Sequence, residues 1–260
     1  MSAARRWIAP ALLVVVALAA WQLAARWHLI ADALSLQSYL VPAPSDIASS
    51  LWSDRSLLAT NGWVTLREVV GGLAIAIAVG FALALVLHLS GALRRALYPL
   101  LVASQTVPIV AIAPILVVWF GFGIGPKLAI IALVCFFPVT VNTLDGLRSV
   151  DPELPKLMRT LDASRLQILS RAEVPASLPY FFSGARIAVA VAVIGAVFGE
   201  WSGAEGGLGW LVLNATHQLE TPRTYAGVVL LTAMAVALFA LVTLLERVAV
   251  PWNRQGGRTA

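Results

Sequence analysis

Charged residues are scarce in this sequence of 260 residues. Only 12% of the residues are charged, whereas 60% are hydrophobic. Soluble globular domains carry about 25% charged residues, which they need to cover their surface. The composition therefore excludes an ordinary water-soluble protein and predicts a chain that contacts lipid.

Long hydrophobic runs take the place of the missing charge. About 20 mostly apolar residues are needed to cross the hydrocarbon layer. The runs are apolar on all sides, whereas the strands of a membrane barrel alternate between polar and apolar residues. The sequence therefore predicts an all-α integral membrane protein with about six transmembrane helices. The six runs are Trp7 to Ala25, Val69 to Leu89, Leu97 to Phe120, Leu128 to Leu144, Phe181 to Phe198 and Tyr225 to Leu245.

Residues that support catalysis or metal binding are also few. Cys135 is the one cysteine and lies within an apolar run, so no disulfide forms within the chain and a small core or lipid-facing residue is expected. His28, His88 and His217 fall in loops or at the ends of runs, where isolated boundary residues are expected. No histidine is predicted at the depth of Ser183, so the sequence predicts no catalytic residues and no metal site.

The lysines are limited to Lys127 and Lys156. Neither belongs to a G-x-x-x-x-G-K-[ST] loop, which is the motif that cradles nucleotide phosphates in many ATPases. The sequence therefore predicts a chain that is not itself an enzyme.

The net charge of +5 is distributed unevenly along the chain. A cytoplasmic N-terminus places 13 basic residues inside and 5 outside, in agreement with the positive-inside rule. The basic charge therefore reflects topology rather than nucleic-acid binding, and both termini are expected in the cytoplasm. The inside set is Arg5, Arg6, Arg94, Arg95, Arg148, Lys156, Arg159, Arg165, Arg171, Arg186, Arg247, Arg254 and Arg258; the outside set is Arg26, Arg55, Arg67, Lys127 and Arg223.

The first hydrophobic run has two interpretations. Arg5 and Arg6 precede it and small residues follow at Ala17 and Ala19, as in a cleaved signal peptide. Its length and its flanking tryptophans favour a retained membrane anchor. Both remain open, and retention is the expectation that we carry forward.

Four segments follow from these patterns. Residues 1–27 form an N-terminal transmembrane helix, and residues 28–62 form a periplasmic loop in which Ser45 or Asp46 caps a short helix. Residues 63–248 form the main transmembrane domain, with a long cytoplasmic loop at 146–180, and residues 249–260 form a cytoplasmic tail.

The sequence of the cytoplasmic loop 146–180 predicts two short helices. Asp151 and Pro152 are typical of a helix start, and Leu154, Leu157, Met158 and Leu161 follow as an apolar stripe. Asp162 interrupts this pattern. A second helix is expected to run through Leu166 and Leu169 until Pro175 and Pro179 end it. The stripe is suited to docking on another protein, to the bilayer interface or to the ends of the chain's own helices, and periodicity does not decide between them.

The same segment resembles a known family. Residues 156–164, K-L-M-R-T-L-D-A-S, with Val174-Pro175, resemble the loop of binding-protein-dependent ABC importer permeases. The family pattern is E-A-A, three residues, Gly, nine residues and I-x-L-P. Lys156, Leu157 and Met158 depart from E-A-A, and Asp162 stands in place of the Gly. Asp tolerates positive φ better than most residues and also caps helices, so the docking geometry is expected to survive.

Further stretches resemble the nitrate/sulfonate/taurine-type permeases. They are Leu40 to Ser45, Val107 to Pro114, Trp119 to Gly123 and Leu245 to Trp252. Within this branch, Phe137 to Leu147 and Gly199 to Gly209 are most similar to permeases for hydroxymethylpyrimidine, the thiamine precursor.

The resemblance implies a type I ABC importer transmembrane fold and a transport function. Two permeases, often identical, would form the pathway for a small polar solute, which a periplasmic solute-binding protein delivers. Cytoplasmic ABC ATPase subunits would bind ATP and Mg, and this chain would bind no cofactor. The coupling residues would be Leu157, Met158, Thr160, Leu161, Asp162, Ala163, Ser164 and Arg165.

Two questions stay open at this stage. An ion-coupled secondary transporter is the alternative, although the interiors of the runs are nearly free of the ionisable groups that such carriers use. Gln105, Thr106, Asn142 and Thr143 are candidate pore-lining residues, but bonding between helices is favoured for them. Snorkelling towards the interface is expected for Arg186.

Overall fold

The computed structural model describes residues 3–27, 35 and 37–254, and the regular structure within them is helical. The first helices in chain order are α1 (Ala3–Arg26), α2 (Pro44–Ser53), α3 (Arg55–Leu89), α4 (Gly91–Ser104), α5 (Ile109–Phe120) and α6 (Ile124–Arg148). They are followed by α7 (Glu153–Thr160), α8 (Arg165–Ile168), α9 (Val174–Trp201), α10 (Leu208–His217) and α11 (Thr221–Ala249).

Each of the six predicted runs lies in one of these helices or in a helix pair. Among the described residues, four helices are long and apolar enough to cross a membrane: α3, α6, the continuous stretch Arg165–Trp201 and α11. The pair α4 and α5 passes the same test together but is bent by 100° at its break. In α1, the described apolar part is shorter, Leu12–Arg26.

The third span is sharply bent near Pro108. Pro108 is the residue that caps α5, with φ −63° and ψ 119°, and an extended conformation there reorients the chain between the two helices. Pro114 and Pro138, by contrast, lie inside α5 and α6 without breaking them. The break at Pro108 thus differs from the two other prolines, which the helices accommodate.

The second span begins earlier than the hydropathy indicated. Helix α3 starts at Arg55 rather than near Val69 and is 35 residues long. Its first turns contain polar residues such as Asn61 and Thr65, which lower hydropathy without preventing a helix. Much of the segment 28–62 is therefore helical where it is described, while residues 28–34 and 36 lie outside the described part. The preceding helix α2 has Pro44 in its first turn, and Asp46 Oδ2 accepts from the Ala43 N–H at 3.1 Å.

The chain divides into two compact units. The first comprises Met1–Trp63 and Gly206–Leu231. Within it, the Arg223 guanidinium donates to both oxygens of Asp54, at 3.0 and 3.3 Å. This hydrogen bond is the main influence that lowers the pKa of the Asp54 carboxyl below its ordinary value, with burial opposing it. Gln22 on α1 bonds Ser45 on α2.

The second unit comprises Val64–Glu205 and Thr232–Ala260. Helix α6 lies at its centre, with Ile130, Ile131 and Val139 fully buried. Glycines allow the neighbouring helices to approach closely: a Cβ on Gly72 of α3 would lie 2.5 Å from Ile131 Cβ, and one on Gly184 of α9 would lie 2.6 Å from the Pro138 oxygen. Gly71, Gly72 and Gly80 of α3 thus all lie against α6, because small residues let helices approach closely.

Candidate functional site

Exposed leucines surround the turn between α7 and α8. Leu157, Leu161 and Leu166 have 58%, 75% and 72% of their surface exposed. Leu154, on the same stripe, is exposed as well. The apolar stripe predicted from the sequence therefore lies on an open surface, and does not pack on the described ends of the chain's own helices.

The turn itself depends on Asp162. Its φ is 58°, in the left-handed region that most residues avoid and Asp tolerates. The Asp162 and Ala163 amides donate to the Arg159 and Met158 carbonyl oxygens, both at 3.0 Å. The sequence allowed Asp162 either to adopt a positive φ or to cap the next helix. In the structure it adopts the positive φ, and Ser164 caps the helix.

The two helix starts are capped by neighbouring residues. Ser164 Oγ accepts from the Gln167 N–H at 3.3 Å, while Gln167 Oε1 accepts from the Ser164 N–H at 2.7 Å. At the start of α7, Asp151 Oδ1 accepts from the Glu153 N–H at 2.9 Å. The capping function expected of Asp151 is thus present, although the helix begins at Glu153.

The end of the second helix differs from the prediction. Helix α8 continues through a π-helical turn, Leu169–Glu173, into α9 without a break at Pro175 or Pro179. A proline ring normally clashes with the carbonyl four residues earlier, and the wider π turn before Pro175 provides room for it. The loop is thus joined directly to a membrane helix.

Three charged or polar side chains meet beside this π turn. Arg165 NH1 lies 2.7 Å from both Glu173 oxygens, and His88 Nε2 lies 2.9 Å from Glu173 Oε2. We call these three residues the clasp. The side chains of Glu173 and His88 are 8% and 10% exposed, so His88 is not the isolated boundary residue expected from the sequence. Of the other two histidines, His217 is exposed at the end of α10, and His28 lies outside the described residues.

A cavity of about 290 Å³ lies at the bend between α4 and α5. Gln105 and Thr106 line it together with Pro108 and Ile112, and Leu133 of α6 closes one side. Asn142 and Thr143 do not line this cavity. Asn142 Nδ2 donates to the Pro138 oxygen at 2.8 Å, and Thr143 is fully buried. The four candidate pore-lining residues therefore separate into two at the cavity and two within packed helices.

Sequence reasoning missed a buried charged cluster in the second unit. Lys127 Nζ lies 2.6 Å from Glu68 Oε1, and Thr65 Oγ1 donates to Glu200 Oε1 at 2.7 Å. Glu68 and Glu200 are almost completely buried, as is Lys127. Lys127 had been assigned to an outside loop. Glu68 follows Arg67 just before an apolar run, and this adjacent pair of opposite charges was the available signal.

Arg186 also has a partner, because its guanidinium pairs with the Glu246 carboxylate and donates to Ser183 Oγ at 3.0 Å. A contact between α9 and α11 thus replaces simple snorkelling as the account of this residue.

Comparison with known proteins identifies the family. Residues 75–255 match the model of the binding-protein-dependent transport system inner membrane component. The chain is 39% identical over 247 residues to the formylaminopyrimidine transport permease protein ThiX of Halalkalibacterium halodurans, covering 95% of this chain and 96% of that protein. It is 28% identical to the taurine transport system permease protein TauC of Escherichia coli, covering 87% and 85%.

The fold has a solved counterpart in the inward-facing MetNI methionine ABC transporter. The TM-score is 0.68 at 18% identity, covering 75% of this chain and 97% of that chain. The similarity confirms the importer-type transmembrane fold expected from the sequence, and the relatives confirm the expected branch. The chain belongs to the family of binding-protein-dependent transport system inner membrane components and is an ABC transporter permease.

Proposed function

We propose that this permease pairs with a second copy of itself to form a solute pathway across the bacterial inner membrane. Two cytoplasmic ATPases would drive the pathway, and a periplasmic solute-binding protein would deliver the solute. ATP and Mg would be bound by the ATPases, while the chain described here supplies the pathway and the docking surface.

The exposed leucines of the coupling loop carry this proposal. Leu157, Leu161 and Leu166 are exposed apolar side chains around one turn and are not covered by the described chain. Amphipathic helices with such a surface bind in apolar grooves of partner proteins. Lys156 and Arg159 flank the leucines and would suit a bilayer interface as well, so the resemblance of this segment to the ATPase-docking loop of the family is what favours a protein groove.

The proposed orientation places this loop and both termini in the cytoplasm. The distribution of basic residues supports it, since 13 of them fall on that side and 5 on the other. Arg148 at the end of α6 and His88 at the end of α3 fall on the loop side. ATPase docking requires this orientation.

The proposed solute is small, polar and of the pyrimidine type. Support comes from ThiX, a relative named for formylaminopyrimidine transport that aligns over nearly the whole chain. The cavity at the bend of the third span offers a side-chain amide on Gln105 and a hydroxyl on Thr106. Such groups hydrogen-bond to ring nitrogens and amines, and a volume of about 290 Å³ accommodates a molecule of that class.

Substitution of Leu161 tests the coupling function. We expect Leu161→Arg to uncouple ATP hydrolysis from uptake, because a charge in an apolar groove prevents docking. The measurement is ATP-dependent uptake of labelled formylaminopyrimidine, with taurine as competitor, by proteoliposomes containing the permease co-purified with its native partners. Leu93→Arg is the matched control for the added charge, because Leu93 is an exposed leucine beside Arg94 in the first turn of α4, before the hydrophobic run begins.

Wild-type coupled uptake by Leu161→Arg would contradict the assignment of the docking surface. Uptake that needs an ion gradient but no ATP would instead indicate the ion-coupled secondary transporter. The buried Glu68–Lys127 pair is the feature that would then require reinterpretation.

A further inference from the structure

The coupling loop is joined to the membrane helix α9 through the π turn Leu169–Glu173. A π turn has one more residue per hydrogen-bonded ring than an α-helix, and such turns occur mostly as single insertions, frequently at functional sites. A motion imposed on α7 and α8 must pass through this turn to reach α9. We therefore expect the connection to bend most readily at this turn, which lies next to the clasp.

Arg165 and Glu173 bridge the turn. They are eight residues apart along the chain: Arg165 precedes the π turn and Glu173 is its last residue. Arg165 NH1 contacts both oxygens of Glu173 at 2.7 Å. The carboxylate is nearly buried, whereas the arginine side chain is 42% exposed. This bridge restrains bending of the turn, because bending would separate two charges in a region of reduced solvent screening.

His88 extends the restraint to a second membrane helix. It lies in the last turn of α3, and its Nε2 is 2.9 Å from Glu173 Oε2 and 3.0 Å from Arg165 NH2. The other ring nitrogen, Nδ1, is buried without a hydrogen-bond partner. A buried N–H without an acceptor is costly, so the tautomer with the proton on Nε2 is favoured, and this N–H donates to Glu173. The approach of Arg165 NH2 to Nε2 is then a contact between two donors and not a hydrogen bond.

We propose that the clasp of His88, Arg165 and Glu173 is a positioning device for energy coupling. It holds the coupling residues in a fixed orientation to the ends of α3 and α9, so that a displacement of the docked loop moves both helices. Without the clasp, the π turn would bend and absorb part of the displacement. This inference rests on the proposed function, because it requires an ATPase docked on the loop.

The three residues act through the position of the loop and contact neither solute nor nucleotide. Loss of the clasp is therefore expected to reduce the solute transported per ATP hydrolysed, with ATPase binding retained. Arg165 is half-exposed and can be hydrated when its partner is neutralised, so Glu173→Gln should still fold. Its side-chain oxygen can also still accept from His88.

The test is the ratio of solute imported to ATP hydrolysed, measured on the complete complex in proteoliposomes. For Glu173→Gln we expect this ratio to fall about tenfold, within the usual range of coupling between distant sites. ATP hydrolysis should continue. Glu246→Gln is the matched control, since it neutralises the carboxylate of another arginine pair, Arg186–Glu246, away from the π turn, and should keep the ratio.

A second pair of variants separates positioning from folding. His88→Gln retains a side-chain donor for Glu173, whereas His88→Leu has similar bulk and no donor. We expect His88→Gln to keep most of the ratio and His88→Leu to lower it, with equal recovery of assembled complex.

The proposal is overturned if Glu173→Gln and His88→Leu transport as much solute per ATP as the wild type. It is also overturned if uptake and hydrolysis fall in parallel with protein stability, which would indicate a structural role alone. A wild-type complex without an ATPase is a different result, because it would refute the proposed function before the clasp is examined.

Discussion

Asp162 determines, as a single residue, the direction of the chain between the two short helices of the coupling loop. Its φ of 58° costs a residue with a Cβ about 1–2 kcal/mol, and β-branched residues at least as much. We predict that Asp162→Val destabilises the loop by about this amount. Hydrogen exchange of the amides from 157 to 168 in the purified permease measures it, as faster exchange in this region alone.

Asp162→Asn is the control at the same position. Asparagine has nearly the same size and also tolerates positive φ, so the backbone conformation of the turn is kept. Exchange should therefore remain close to that of the wild type. Equal exchange in the Val and Asn variants would show that the backbone conformation does not limit the stability of the loop.

At the scale of elements, close contacts between helices depend on glycines, which have no side chain. Gly72 lies where α3 crosses α6, and an added Cβ would lie 2.5 Å from Ile131 Cβ. We predict that Gly72→Ala forces the helices apart and lowers the free energy of unfolding by about 1–3 kcal/mol. Thermal unfolding in detergent detects the change.

Gly62→Ala is the matched control for Gly72, because it lies on the same helix and its nearest contact, Leu208 Cδ1, is 3.9 Å away. Alanine there should leave the unfolding temperature unchanged or raise it, owing to its higher helix propensity. A Gly72→Ala protein as stable as Gly62→Ala would contradict the close packing of α3 on α6.

Hydropathy predicted which segments form membrane helices, but not where these helices bend or continue into one another. All six runs lie in helices because lipid requires each span to satisfy its own backbone. The bend at Pro108 and the π turn before Pro175 were not predicted, since a proline is compatible with a break, a kink or an uninterrupted helix. Neighbouring helices decide among these, and their positions are not visible in a local sequence pattern.

At the scale of the whole molecule, the cavity at the bend of the third span is the candidate part of the solute path. We predict that Thr106→Trp fills much of its volume of about 290 Å³ and reduces uptake to near background. ATP hydrolysis should persist, because the proposed coupling residues are unchanged. The measurement is uptake and hydrolysis by the same proteoliposomes.

The control for Thr106→Trp is Val102→Trp, which places the same ring on an exposed face of α4 outside the cavity lining. It should transport at the wild-type rate. Unchanged uptake by Thr106→Trp would show that the solute path lies elsewhere and that Gln105 and Thr106 have only a structural role.

Family and fold were predictable for the whole molecule, because composition, charge bias and the loop motif each constrain them independently. The buried contacts of Lys127 with Glu68 and of His88 with Glu173 were not. Their partners are 59 and 85 residues apart in sequence. A charged residue near the end of a run looks the same whether it faces water or a partner on another helix.

The near absence of lysine has a practical consequence for chemical labelling. Lys127 is buried in its ion pair, whereas the Lys156 side chain is 67% exposed on α7. Amine-reactive crosslinkers should therefore modify Lys156 in strong preference to Lys127. The native chain thus carries a side-chain reporter at the edge of the proposed docking surface, and no residue need be introduced to detect what binds there.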